Sequence, residues 1–483
     1  MVRCIISNKL EIIGLPKDLE EYYRYKCRYN TSVYSSEDIP DPLDLFEKTE
    51  KGIRIPRGLL NEVYSLCLQR GLEIKIFNEG YVGEQQNFKI NPNINYTSGV
   101  YGYQGKAVNE LMQYTTARLQ AMPGSGKTAM MCLISALLNK GPCLYLANKQ
   151  RLIKQFMLTA EKVLNIPEKE IGIIKQKKCI IKPLTCGSLQ TMGKKDFDLG
   201  AVKNSFTSVY YDESHLSTAL TYRRVLLGLA PQRLYGFSAT PDHYSSEDLN
   251  HLMSALLGPV AVKVKDEEIP KRLIPDVYTR FTRHTFYFSA DSSSEQWRIR
   301  KQRHKLYDAI GNSVTRDNLI IGDALKLLSI GHKLLICVNR VSHGKKLYQL
   351  LTSSGIKVSF PYKIKKTKTG EYKAQVDHKK LNEDVFEIER GNINVIIGTY
   401  KLFDTGFDCP SLSAILYAAP FSGDNTTQII QSAGRIQRFR IDKQHPIVID
   451  YLDDSHPVNV LQHWGHKRAE FLQKTYRNYD IIR

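Results

Sequence analysis

From about residue 115 onward, short apolar runs alternate with amphipathic stretches of helical length. That alternation strongly favours one solution, a parallel sheet wrapped by helices on both faces. The first series of candidate strands is RLQAM (118–122), PCLYLAN (142–148), SVYYDE (208–213) and RLYGFSAT (233–240). A second series follows as KLLICVNR (333–340), IKVSF (356–360), INVIIGT (393–399), SAILYAA (413–419) and PIVIDYL (446–452). Between them, residues 242–330 contain Pro259, Pro270, Pro275 and a mixed-charge run from Lys263 to Lys271, and read as an inter-domain crossing. Before them, Pro16, Pro40, Pro42 and Pro56 punctuate short segments, and IPRGLLNEVYSLCLQRG predicts a helix stopped by Gly71. The expected class is α/β: a small α+β domain (1–95), then two tandem parallel-sheet domains (96–260 and 261–483), joined through NPNINYTSG (91–99). At 483 residues the chain is long enough for about three cores of ordinary size.

The charge is unevenly spread. Residues 1–100 hold 13 Lys+Arg against 14 Asp+Glu, whereas residues 101–483 hold 55 against 35. A polyanionic partner would therefore be met chiefly by the larger part. Nine cysteines stand singly with no C-x-x-C pair, which favours a reducing compartment over a disulfide framework or structural zinc. The N-terminus lacks the apolar run of a signal peptide, and no stretch approaches about 18 apolar residues, so neither secretion nor membrane spanning is expected.

Ala121-Met-Pro-Gly-Ser-Gly-Lys-Thr128 stands between an apolar strand and the helix-forming run AMMCLISALL, the setting a phosphate-cradling loop requires. Gly124 and Gly126 let backbone N–H groups turn toward an anion at a helix N-terminus, and Pro123 and Ser125 complete the loop. Lys127 would reach the β- and γ-phosphates of a nucleotide, and Thr128 would offer its hydroxyl to Mg²⁺. The loop departs from the strict pattern in beginning with Ala121 rather than glycine.

Val209-Tyr-Tyr-Asp-Glu-Ser-His215 ends an apolar run with two adjacent carboxylates, at the edge where parallel sheets hold their ligands. Asp212 suits Mg²⁺, held through water, and Glu213 suits the base that activates an attacking water. Ser238-Ala-Thr240-Pro241 ends the next strand, where small hydroxyl side chains would couple the nucleotide site to its neighbours. In the second series, Gln431-Ser-Ala-Gly-Arg435-Ile-Gln-Arg438 sets two arginines three apart, on one face if the segment is helical. Both would then stabilise charge developing on a γ-phosphate, Arg438 as the finger and Arg435 in support; a plain basic helix face is the alternative.

Taken together, QGKA with Gln104, AMPGSGKT, DESH, SATP, GTYKLFDTGFDCP and QSAGRIQR resemble, in order and spacing, the motifs of a superfamily 2 helicase over residues 100–455. The resemblance implies two RecA-like domains with ATP between them and a nucleic-acid strand crossing both. It gives Tyr103 and Gln104 to adenine, Gly406 and Asp408 to the nucleotide, and Gln431 to coupling. DESH in place of DEAD, and Gln431 in place of histidine, point away from the DEAD-box RNA helicases. YQGKAV, VSHGK and GIRIPRGLLNEVYSLCLQRGLEIKIF are similar to phage branch-migrating DNA helicases of the UvsW type, related in action to RecG. In that group the N-terminal module is taken to bind branched DNA, though here it is almost neutral.

By the same resemblance Lys149, Arg151, Thr185, Ser188, Arg340 and Thr399 would face the nucleic-acid strand, contacts that position without reading sequence. The segment Tyr362 to Lys373 predicts a projecting basic hairpin in which Lys363, Lys365, Lys366 and Lys368 grip phosphates; a solvated lysine loop is the competing reading. The expected activity is ATP-dependent unwinding or branch migration of forked and four-way DNA in recombination, repair or replication restart. ATP and Mg²⁺ are the cofactors, a monomer is expected, and single-stranded-DNA-binding or recombination proteins are open partners. The expected location is the cytoplasm, that of a host cell for a phage-encoded protein. An RNA helicase, a non-catalytic nucleic-acid clamp and the motor subunit of a restriction system are the rivals.

Overall fold

The computed structural model describes residues 1–29, 43–240, 247–287, 306–366, 372–400, 402, 409–421, 429, 432–438, 440, 442–456 and 460–482. The chain falls into two compact units, Met1–Met122 with Gly126–Glu268, and Ile269–Arg483 with Pro123–Ser125.

The first unit contains two large sheets and a two-stranded pair, Arg28–Tyr29 with Leu43–Asp44. Its eight-stranded sheet runs in the order Lys178–Ile180, Gly172–Lys175, Leu184–Ser188, Cys143–Ala147, Ser208–Asp212, Arg233–Ser238, Thr116–Gln120, Val260–Lys263. Every pairing is parallel except that of the outer hairpin, Gly172–Lys175 with Lys178–Ile180. Cys143–Ala147 and Ser208–Asp212 are buried at every position, as strands covered on both faces must be. The helices Lys127–Leu138 and Gln150–Leu164 end on Asn139 and Asn165 in the left-handed conformation, where asparagine substitutes for glycine.

The second sheet of this unit is built by the N-terminal residues in the order Glu47–Lys48, Gly52–Pro56, Lys9–Ile13, Val2–Ile6, Ile74–Asn78. Only the last pairing is parallel. Helices Lys17–Lys26 and Leu60–Gln69 pack on it. Its core is continuous with that of the larger sheet: Ile6, Ile12, Ile53, Ile55 and Val63 belong to the same buried cluster as Val209, Leu234, Leu252 and Leu256. Arg57 locks the two together. Its buried guanidinium donates to the Thr116 hydroxyl at 2.9 Å, to Ser7 O at 2.9 Å, to Pro231 O at 2.7 Å and to Gln232 O at 3.3 Å. At Gly58 a β-carbon would lie 2.3 Å from Ser254 O, so only glycine permits this approach to the helix Glu247–Leu257.

The second unit carries a seven-stranded, wholly parallel sheet in the order Val358–Ser359, Val395–Thr399, Leu334–Val338, Ala414–Tyr417, Ile447–His456, Asp276–Tyr287, Asn478–Ile482. Buried ion pairs cross its layers. Arg316 Nε lies 2.9 Å from Asp453 Oδ1, Arg468 Nε lies 2.9 Å from Asp450 Oδ2, and all four side chains are 0–1% exposed. Removing one member of such a pair costs far more than the intact pair contributes.

The stretch read as an inter-domain crossing, residues 242–330, is largely structured. It includes the helices Glu247–Leu257 and Val314–Ser329, the edge strand Val260–Lys263, and the 12-residue strand Asp276–Tyr287 inside the second sheet. Polar residues disguised that strand. Arg280 pairs with Asp323 at 2.5 Å and the Thr282 hydroxyl bonds Asp453 at 2.8 Å, so side chains that look solvated are satisfied inside the unit.

Candidate active site

Strand register brings three segments to one sheet edge. Asp212 pairs with Phe237, Phe237 with Leu119 and Ser238 with Gln120, so the loop beginning at Ala121, the Asp212-Glu213 pair and Ser238 to Thr240 all leave the carboxyl ends of adjacent strands. Gly124 and Gly126 both have φ of +83°, and the helix Lys127–Leu138 starts immediately after. At Gly126 a β-carbon would also lie 2.3 Å from Gln104 Nε2, so Gln104 rests directly against this loop. Gln104 is buried and its amide donates to the Tyr103 hydroxyl at 3.2 Å.

Lys127 Nζ donates to the carbonyls of Ala121 at 2.9 Å and Met122 at 3.2 Å. Burial holds its ammonium below the ordinary lysine range, while Glu213 and Asp212 pull it back up. Asp212 is buried, and that burial together with the Glu213 charge pushes its carboxyl up to about 6. Two hydrogen bonds oppose the rise, from the Tyr145 hydroxyl to Oδ2 at 2.7 Å and from the Glu213 N–H to Oδ1 at 3.0 Å. Glu213 itself adopts the left-handed backbone, φ 54° and ψ 52°, an uncommon state for a side chain of its size. Its Oε2 lies 3.4 Å from His215 Nδ1, which lies 3.1 Å from Ser238 Oγ, and Ser238 Oγ accepts from Thr240 N at 3.1 Å. This relay joins the carboxylate to the Ser-Ala-Thr segment.

These residues fit Mg²⁺·ATP. Two glycines lie in the left-handed region at the start of the helix, a buried lysine stands beside them, and the buried Asp212 carboxyl is crowded by the Glu213 charge. Tyr145 and His215 were not singled out from sequence. Tyr145 looks like core in an apolar run, and its partner Asp212 is 67 residues away, whereas His215 was visible as the last residue of DESH.

A second set of expected residues lies along the same sheet. Ser188 pairs with Ala147, at the carboxyl edge from which Lys149 and Arg151 follow, and Ser188 Oγ caps the helix Leu189–Met192. Thr185 is elsewhere: it is fully buried near the opposite end of its strand, and its hydroxyl bonds both Lys182 N and Lys182 O.

In the second unit, Thr399 pairs with Val338 and Arg340 caps the helix Val341–Ser353, so both stand at the carboxyl edge of that sheet. Arg435 and Arg438 do not share a helical face. Ser432 and Ala433 are helical, but Gly434 to Ile436 form a turn and Arg438 follows in irregular backbone, with Arg435 N bonded to Ser432 O at 3.0 Å. Lys363, Lys365 and Lys366 lie on the strand Tyr362–Lys366. Gly406, Asp408, Gln431 and Lys368 lie outside the described residues.

Residues 98–243 match the family described as the type III restriction enzyme, res subunit. A mimivirus relative described as a putative ATP-dependent RNA helicase, L396, is 22% identical over 420 residues, spanning 82% of this chain and 74% of its own. Among solved structures, yeast Dbp5 bound to RNA and ADP BeF3 aligns with 79% of this chain and 89% of its own, at 17% identity and a TM-score of 0.51. Phage T4 UvsW aligns with 100% and 99% at 17% identity and a TM-score of 0.43. The chain is thus similar to helicases of superfamily 2, and it carries two parallel-sheet domains and an N-terminal α+β sheet. These matches support an ATP-dependent enzyme, and among the described residues no helix is long and apolar enough to cross a membrane.

Proposed function

We propose that the protein is an ATP-driven DNA translocase that unwinds or branch-migrates forked and four-way junctions. The observation that carries the motor chemistry is the convergence of Lys127, Asp212, Glu213, His215 and Ser238 at one sheet edge. Lys127 and the loop amides of Pro123 to Thr128 hold the β- and γ-phosphates, Thr128 and Asp212 hold Mg²⁺, and Tyr103 with Gln104 meets adenine. Mg²⁺·ATP supplies the phosphoanhydride whose hydrolysis drives the cycle. Glu213 accepts a proton from the attacking water at Oε2, and His215 carries the change in its charge to Ser238 and Thr240. Arg435 and Arg438 supply guanidinium groups for the γ-phosphate, and Gln431, Gly406 and Asp408 complete the motor motifs.

DNA is favoured by the match to a family described as a restriction-enzyme subunit, and by DESH and Gln431 standing where the DEAD-box pattern has other residues. The net positive charge of residues 101–483 suits any nucleic acid. Lys149, Arg151, Ser188, Arg340 and Thr399 are the proposed strand contacts. RNA is the second reading, favoured by the description of the mimivirus relative.

Two measurements test this. Stimulation of ATPase by single-stranded DNA, a four-way junction and RNA, compared at one salt concentration, assigns the substrate: a response to RNA alone overturns the DNA reading. Glu213→Gln is expected to lower turnover at least a hundredfold, in the range of a lost general base, while nucleotide still binds. Retained hydrolysis would remove Glu213 from its role.

A further inference from the structure

Past the turn at Gly434 the chain runs through Arg438 in irregular backbone, so side chains rather than a helix set the position of that residue. Lys443 is one of them. Its Nζ donates to Arg438 O at 2.7 Å, and no carboxylate bonds it among the described residues. Burial first, and then the neighbouring Arg438 charge, push its ammonium down to about 7. One bond to a neutral carbonyl does not restore the hydration such a group gives up, so stability is a poor account of a lysine here. What the bond does is fix a carbonyl.

Two residues past Arg438 a second device holds the same stretch. The Arg440 guanidinium bonds Asp442 through Nε at 2.6 Å and through Nη2 at 2.9 Å. Its Nη1 bonds the Ser411 hydroxyl at 2.6 Å and the Glu389 carboxylate. Glu389 ends the helix His378–Glu389 and accepts from Ser411 N at 3.0 Å, from Ser411 Oγ at 2.6 Å and from Cys409 Sγ at 3.2 Å. Arg440 is thereby tied to the residues that lead into the strand Ala414–Tyr417. The Arg440 fork anchors the stretch on its unit, and Lys443, reaching back across five residues, fixes the bend of the chain at Arg438.

We propose that Lys443 is a positioning residue for phosphoryl transfer: by holding the Arg438 carbonyl it sets the backbone from which the Arg438 guanidinium is presented to the γ-phosphate. Lys443 acts through Arg438 alone. A displacement of about 1 Å in a group that works in the transition state costs about a hundredfold in rate. Loss of one backbone bond, with Arg440 still anchored, falls short of that, at about tenfold. The proposal rests on the reading above in which Arg438 meets the γ-phosphate.

The test is a double-mutant cycle on the full chain: Lys443→Met, Arg438→Ala and both together, with Lys443→Arg as the conservative variant. The kcat and KM for ATP are measured with whichever nucleic acid stimulates the wild type, beside the Tm. Lys443→Met is expected to lower kcat about tenfold with KM within about twofold. Its Tm is expected to be unchanged or raised, because methionine keeps the stem and spares the buried charge. Lys443→Arg keeps both donor and charge and is expected within about threefold of wild type. Arg438→Ala is expected to lower kcat about a thousandfold, and Lys443→Met to add nothing in that background. An unchanged kcat in Lys443→Met overturns the proposal, as does a tenfold loss that persists without Arg438, which would mark a role independent of it. Wild-type kcat in Arg438→Ala overturns the assignment of Arg438 itself, and Lys443 loses its role with it.

Discussion

Arg57→Met keeps the apolar stem but removes every donor of the side chain that fastens the N-terminal sheet to the first motor sheet. Three of its bonds are short: 2.9 Å to Thr116 Oγ1, 2.9 Å to Ser7 O and 2.7 Å to Pro231 O. A hydrogen bond from a charged donor contributes about 1.5–3 kcal/mol net, so three are worth about 4.5–9 kcal/mol. Against this stands the cost of burying a guanidinium with no carboxylate bonded to it among the described residues, visible in the fall of its proton affinity to about 10 through burial. Methionine recovers several kcal/mol of that cost. The balance is a loss of about 3 kcal/mol. The suitable assay is native-state amide exchange, because a chain of two units need not unfold in one step. Amides of Val2–Ile6 and Ile74–Asn78 are expected to exchange roughly 150-fold faster, the equivalent of about 3 kcal/mol, with the second unit's strand Leu334–Val338 unaffected. Unchanged exchange in the N-terminal strands would refute the view that Arg57 is the fastening.

Two more predictions concern protons. Tyr145→Phe removes the donor that opposes the rise at Asp212, so the acidic limb of the ATPase pH profile should move upward by about one pH unit, the scale of one charge-assisted bond; an unmoved limb would separate Asp212 from the titration. His343 is buried against Asp317 at 2.8 Å, and burial depresses its proton affinity below the usual 6.5. The unfolded chain therefore takes the proton first, and stability falls as pH drops below about 6.5, by at most about 1.4 kcal/mol per pH unit. His343→Gln should flatten the dependence of the second unit's Tm on pH between about 5 and 7, and an unchanged slope would assign that dependence to other groups.

Each of the nine apolar runs overlaps a strand, because a strand buried on both faces leaves a contiguous apolar signature. The helix stopped by Gly71 was equally legible: it ends at Gln69, and Gly71 has φ of +65°. Three kinds of element were not. Asp276–Tyr287 pairs half-buried arginine and threonine with carboxylates that come from other parts of the chain. Leu184–Ser188 is made of small residues with little apolar contrast, and Asn478–Ile482 is an exposed edge. In the site, the loop and the Asp-Glu pair were legible because local spacing defines them. The Tyr145 bond to Asp212 depends on strands pairing across 67 residues, which no local pattern records. The two arginines were assigned a helix by their spacing, and a turn at Gly434 replaces it.

The left-handed backbone at Glu213 sets durability against work. Glycine occupies that region without steric penalty, so exchanging the glutamate for it would relieve about 1 kcal/mol of conformational tension while deleting the proposed base. Selection for thermal robustness alone would drift toward an inert protein at this position. In that geometry the Glu213 carboxylate leaves the strand end with its Oε2 3.4 Å from His215 Nδ1.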